Sequence, residues 1–188
     1  MYTWGRRVGS SGRGMTRMNG LRAAYVLIFG AGTIGVLAGA AMWTGTAFVF
    51  PSLGPTALLQ LMHPRDVTSR ARNTILGHAI GLACGYAALL ATGLADQPPA
   101  LVEGVSLARV ICAALSLGLT GGLMILLGVP HAPAGATTLI VSLGIVRTPY
   151  ELLIMEVAVV ALTLMTWGIG RVMGRVEWPS EGGPSAAV

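Results

Sequence analysis

This sequence predicts an all-α membrane protein, a compact bundle of about six transmembrane segments, and three observations carry that prediction. The mean hydropathy is +0.73 and only 10% of residues are charged, against roughly 25% in a soluble domain. A chain so poor in charge cannot cover itself with polar surface, so its solvent is lipid. Apolar stretches near the roughly 20 residues that a membrane helix needs recur along its length. Finally, Gly54-Pro55-Thr56-Ala57-Leu58-Leu59 and Gly135-Ala136-Thr137-Thr138-Leu139-Ile140 share one pattern, and each interrupts an apolar segment just after a proline. Segments broken at matching places in two halves point to the binding site of a transporter built from repeats.

Taken in order, residues 1–22 hold Arg6, Arg7, Arg13, Arg17 and Arg22 and no acid. They read as a basic cytoplasmic tail, expected to be disordered. A secretory signal carries a small-residue cleavage site after its apolar core, whereas the run from Ala23 is long enough to remain as a span. An Arg/Ser/Gly-rich start also has the look of an organelle transit peptide, the lesser reading. The first span is 23–43, with Ala31, Gly35 and Gly39 at every fourth position. Segment 44–62 is apolar but broken at Pro51 and Pro55. The third span, 73–95, carries Gly77, Gly81 and Gly85. Beyond the acidic stretch of Asp96 and Glu103 comes 104–128, with Gly118 and Gly122. Segment 130–146 is broken near Pro130 and Pro133, and 150–173 closes the set, with Gly170 and Gly174 repeating the spacing. Residues 174–188 form a short polar tail. The chain therefore reads as one membrane domain, 23–173, with repeat halves 23–95 and 104–173. Small residues at fourfold spacing let helix backbones approach closely in lipid, within one chain or between copies in a homo-oligomer.

The two broken segments either cross the bilayer or re-enter from the side they left, and the arginines arbitrate. All twelve basic residues are arginine. With six crossings and the N-terminus inside, ten of them are cytoplasmic, Arg147 is the exception and Arg109 lies within a span. If both broken segments re-enter, Arg65, Arg70 and Arg72 move outside and the acidic 96–103 moves in. The positive-inside rule prefers six crossings. Both termini are then cytoplasmic, as expected in a bacterial inner membrane, and three crossings per half make the repeat an inverted 3+3. The basicity orients the protein and does not suggest a nucleic-acid partner.

Each broken segment would restart as a half-helix at mid-membrane, near Thr56 and near Ala136. Pro55 suits a first helical position. Helix N-termini carry unsatisfied N–H groups and partial positive charge, so two of them converging would bind an anion. Ser52, Thr56, Thr137 and Thr138 would add hydroxyls, while Gly54 and Gly135 would let backbone approach. The bland alternative is a pair of proline kinks eased by neighbouring hydroxyls. Ionisable residues within spans default to functional candidates: His78, Arg109 and Glu156, and His131 at the second break. Arg109 and Glu156 are expected at similar depth and within ion-pair reach. His78 and His131 can carry protons near neutral pH. Cys84 and Cys112 read as small buried hydrophobes. No catalytic motif, cofactor motif or metal-ligand spacing is present, so an enzyme is not expected.

Phe50-Pro51-Ser52-Leu53-Gly54-Pro55-Thr56-Ala57, then Pro64, then Arg72-Asn73-Thr74-Ile75-Leu76-Gly77-His78-Ala79-Ile80-Gly81 resemble the ordered motifs of the HPP family of integral membrane proteins. Pro130-His131-Ala132-Pro133-Ala134-Gly135-Ala136 resembles the motif that names that family, with Ala132 in place of its first proline. The resemblance covers about residues 23–173. It implies a compact membrane domain, often described as four-helix, in a family whose plastid and cyanobacterial members are associated with nitrite transport. Carried onto this chain, its motif positions are Pro51, Ser52, Gly54, Thr56, Arg72, Asn73, Gly77, His78, His131, Pro133 and Gly135. The expectation is transport of a small anion, nitrite first, by a carrier or a channel. The rival is a membrane scaffold or partner subunit that transports nothing.

Overall fold

A computed structural model describes residues 11–173, with side chains from residue 17 onward. Seven α-helices and one 3₁₀ turn are present among the described residues, with no strand: α1 (Ser11–Thr44), α2 (Leu53–Met62), the turn Val67–Ser69, α3 (Ala71–Ala91), α4 (Ala100–Glu103), α5 (Leu107–Leu126), α6 (Ala134–Ser142) and α7 (Pro149–Val172). The 174–188 tail and residues 1–10 lie outside the described residues. Arg17–Thr44, α3, α5 and α7 are long and apolar enough to cross a membrane. The protein is an integral membrane protein.

α1 starts at Ser11, ahead of the span start expected at Ala23. At about 50 Å it exceeds the roughly 30 Å hydrocarbon thickness, so its arginine-bearing turns reach headgroup depth without leaving the helix. The broken segments show where prolines act. Only Leu53–Met62 and Ala134–Ser142 are helical in them, each roughly 15 Å or less, half of a hydrocarbon crossing. Pro55 sits at the third helical position and not the first. That position also lacks an intrahelical N–H partner, so the missing donor costs nothing. α7 has the best-defined start: Pro149 at its first turn and a reciprocal capping box of Thr148 and Glu151. Gly128 and Gly144, just past α5 and α6, adopt φ of 64° and 79°, the left-handed turn-off that lacks a Cβ penalty.

Named contacts give the helix directions. Thr56 meets His78 and Gln60 meets Thr74, so α2 runs antiparallel to α3. Ala134 lies at Gly81 and Val141 at Gly85, so α6 runs parallel to α3. Thr138 meets Thr120 and the Ser142 carbonyl meets Arg109, so α5 runs antiparallel to α6. The short helices thus start near one level, beside His78, and run in opposite directions. α3 packs on α5, α6 and α7; α6 packs on α5; α2 packs on α1 and α7; and α1 packs on α7.

The polarity is inverted relative to a soluble protein. Leu27, Ile28, Trp43, Ile125, Leu126 and Leu164 are exposed to the surroundings, where lipid is as apolar as they are. Inside, an apolar cluster around Leu53, Leu89, Val141, Met155, Val159 and Leu162 shares the interior with buried threonines and two histidines. Of the small-residue stripes among the described residues, only Gly77, Gly81 and Gly85 act within the chain: a Cβ on any of them would stand 2.8 Å from α6 or the coil before it. Gly35, Gly39, Gly118, Gly122 and Gly170 face open space, so their spacing is not used in this bundle.

Candidate functional site

Four elements meet at His78. α3 supplies its imidazole, α2 supplies Thr56, the coil before α6 supplies His131, and α6 supplies Thr137. His78 Nδ1 is 2.6 Å from Thr137 Oγ1 and its Nε2 is 2.9 Å from Thr56 Oγ1. His131 Nε2 lies 3.2 Å from His78 Nε2 and 3.4 Å from Thr56 Oγ1. His131 Nδ1 is 2.8 Å from the carbonyl oxygen of Thr68. All four site side chains are at most 1% exposed.

Donor and acceptor roles follow from one fact: a carbonyl only accepts. His131 Nδ1–H therefore donates to Thr68, and in the neutral ring Nε2 accepts. The facing His78 Nε2 must then carry the hydrogen, which it shares between His131 Nε2 and Thr56 Oγ1. His78 Nδ1 is left as an acceptor, filled by the Thr137 hydroxyl. The Thr56 hydroxyl donates to the Ser52 carbonyl, 2.9 Å away. Every neutral position is satisfied, as buried polar groups require. The result is a directional chain, Thr137 to His78 to His131 to the Thr68 carbonyl. It can hold one added proton, taken at His78 Nδ1 with the Thr137 hydroxyl turning to accept, but not two, since two cationic rings would oppose N–H to N–H. No third His, Cys, Asp or Glu among the described residues joins the pair in a metal-binding group.

The remaining predicted residues have other places. Thr138 bonds to Thr120 Oγ1 at 2.9 Å and to the Ala134 carbonyl, joining α5 to α6 beside the site. Asn73 Nδ2 donates to the Val67 carbonyl at 2.8 Å, holding the 3₁₀ turn whose next residue, Thr68, receives His131. Pro51 and Pro133 stand in the turns just before α2 and α6, and Arg72 is exposed at the start of α3. Ser52 is fully buried, and its hydroxyl has no partner among the described residues.

Two expectations are corrected. Arg109 and Glu156 do not pair: the guanidinium donates to the Ser142 and Pro98 carbonyls at 3.2 and 2.9 Å, while neither carboxylate oxygen of Glu156 has a hydrogen-bond partner. Shared depth did not bring them to one face. The N–H groups at the α6 start are also not free, because those of Ala134, Gly135 and Ala136 close tight turns onto His131, Ala132 and Pro133. A Cβ on Gly54 would meet nothing within 4 Å and one on Gly135 only the flexible tip of Leu117, so neither glycine is needed for helix packing. The glycines on which close helix packing depends are on α3. Sequence reasoning missed Gln60, whose amide bonds Thr74 and Thr163 and accepts from Thr166. A polar residue in the apolar run Leu58–Met62 was the available signal.

The family model for the HPP transmembrane region matches residues 15–179. The chain belongs to the HPP family. No curated relative and no solved structure matches it. The HPP-like sequence blocks, scattered along the chain, converge in space: the first supplies Thr56, the second Asn73, Gly77 and His78, and the third His131.

Proposed function

We propose that this HPP-family protein is a proton-coupled carrier of a small anion, nitrite the leading candidate, working through the His78–His131 centre. One observation carries the reading. Thr56 and Thr137, each the fourth residue of its short helix, hold the two nitrogens of a single buried imidazole. Two halves of the chain thus present equivalent groups to one titratable residue.

The proposal includes an inverted 3+3 repeat with six crossings, each broken segment crossing half as coil and half as helix. The packing supports it. Exchanging α1 with α5, α2 with α6 and α3 with α7 turns α1·α2 into α5·α6, α2·α7 into α6·α3, and α1·α7 into α5·α3, all of which are main packing pairs. The arginine distribution supports cytoplasmic termini in a bacterial inner membrane.

Chemically, an anion crossing alone bears the full cost of entering a low-dielectric interior. An imidazolium formed by one incoming proton cancels that charge. The Ser52 hydroxyl and the positive end of α2 provide further ligands beside the pair. The close fit at Gly77, where a Cβ would stand 2.8 Å from that of His131, favours a carrier that must rearrange over a standing pore. Purified protein in liposomes should take up nitrite saturably and faster with an inward proton gradient, in a panel with nitrate, formate, chloride and bicarbonate. Uptake of none of these supports the scaffold reading, and flux without saturation supports a channel.

A further inference from the structure

Where α2 and α7 end on the arginine-rich face, a half-open cavity of about 440 Å³ indents the protein, within the roughly 300–1,000 Å³ range of small-molecule pockets. Arg65 and Arg70 line it from the α2–α3 connection and Arg171 from α7. The Arg171 guanidinium carbon lies 4.7 Å above the Trp167 ring, which also lines the cavity. No acid is among the described residues that line it. Guanidinium stays charged at any physiological pH and presents a planar fork that fits two oxygens at once, so the concavity concentrates positive potential.

Gln60 belongs to the same lining and is only 7% exposed. Its amide nitrogen donates to Thr74 Oγ1 at 3.0 Å and only distantly, at 3.5 Å, to Thr163 Oγ1. One N–H is therefore weakly held and available to a stronger acceptor. Thr56, which touches His78, lies one helical turn before Gln60 on α2. The corresponding seam between α3 and α6 is shut, since a Cβ on Gly85 would stand 2.8 Å from Val141.

We infer that this cavity is an oxyanion-binding site, with Arg70 and Arg171 gripping the anion and Gln60 donating to it from the inner wall. It deepens the carrier reading by giving the anion a waiting position on the arginine-rich side. Binding is separable from transport and is tested without flux. The oxyanion comes either free from water or as the phosphate of an anionic lipid headgroup.

Trp167 is a built-in reporter. A W4F/W43F/W178F protein, leaving Trp167 as its only tryptophan, is titrated with sodium nitrite and separately with inorganic phosphate at constant ionic strength. The titrations are run in lipid-free detergent and in nanodiscs of phosphatidylcholine with or without phosphatidylglycerol, corrected against free tryptophan. The expected result is a saturable change in Trp167 emission, with R70Q and R171Q each weakening apparent affinity about tenfold and R70K and R171K, which keep the charge but lose the fork, weakening it less. The lysine variants keep the charge, so their behaviour separates lost binding from lost fold. A free anion gives the same titration with and without phosphatidylglycerol. A lipid phosphate gives an emission change with phosphatidylglycerol alone that the added anions do not compete away. The inference is overturned if no anion or anionic lipid gives a saturable response, or if the glutamine variants respond as the parent does. Saturable binding in a protein that takes up no anion would remove the carrier reading and leave this site standing.

Discussion

Replacing Gly81 by alanine tests the seam on which the centre depends. A Cβ there would stand 2.8 Å from the Ala134 carbonyl oxygen and 2.9 Å from Thr138 Oγ1. One of these neighbours is backbone and the other is already bonded to Thr120 and to that same carbonyl, so no flexible tip can swing away. Restoring ordinary contact at 3.4 Å needs α6 to retreat by about 0.6 Å. Overpacking of this kind costs about 1–3 kcal/mol, against which removing a helical glycine returns about 0.5–1 kcal/mol. The expected net loss is about 1 kcal/mol at the midpoints of these ranges and at most about 2.5 kcal/mol. The same retreat carries Thr137 with it, stretching its 2.6 Å bond to His78 towards the weak limit, so proton-linked uptake should fall more than stability does. Gly35, which meets nothing within 4 Å, is the control: Gly35→Ala should be neutral or slightly stabilising. The assay is reversible denaturation in detergent for both variants, followed by liposome uptake under a proton gradient. Equal stability of Gly81→Ala and Gly35→Ala would refute the argument, because it would mean that α6 does not rest on α3 at this contact.

Arg109→Ala should cost about 1–3 kcal/mol by leaving the Ser142 and Pro98 carbonyls without their donor, and the loss should be the same in a Glu156→Ala background, since unpaired sites add; a coupling energy above about 0.5 kcal/mol in the double-mutant cycle would show that the two charges communicate. Glu156→Leu should be neutral or stabilising by up to about 2 kcal/mol, because it removes a buried carboxyl that has no partner, and a lower melting temperature in detergent would contradict this. His78→Gln and His131→Gln should each flatten the pH dependence of nitrite uptake, and retention of the parent profile in both would exclude the imidazole pair as the proton carrier. Reporter fusions after Arg70 and after Gln97 should report opposite sides of the membrane; identical sides would rule out the six-crossing arrangement.

Much of this was legible in the residues. Hydropathy located the long helices within a few positions at most ends, because a lipid-spanning helix must satisfy its own backbone and be apolar all along, and both are local properties. Proline and glycine likewise marked where the two short helices begin, since a missing N–H acts on its own turn. The histidines were singled out because ionisable groups inside lipid are costly wherever they point, and the threonines because they stand at the two helix breaks.

Their partners were decided only by tertiary structure. Sequence placed Arg109 and Glu156 at one depth, yet depth does not specify azimuth, and the guanidinium found two backbone carbonyls that leave no trace in residue type. It marked several glycine stripes alike, although among the described residues only the one on α3 faces a neighbouring helix within the chain. It offered helix N-termini as anion donors without registering that the α6 start closes its own turns. Gln60, which the sequence did not single out, gains its partners only where α3 and α7 close around it. The sequence by itself determined which groups had to leave water. The packing of the helices determined which of those groups would meet, because rotation about each helix axis is set by the fit of its neighbours.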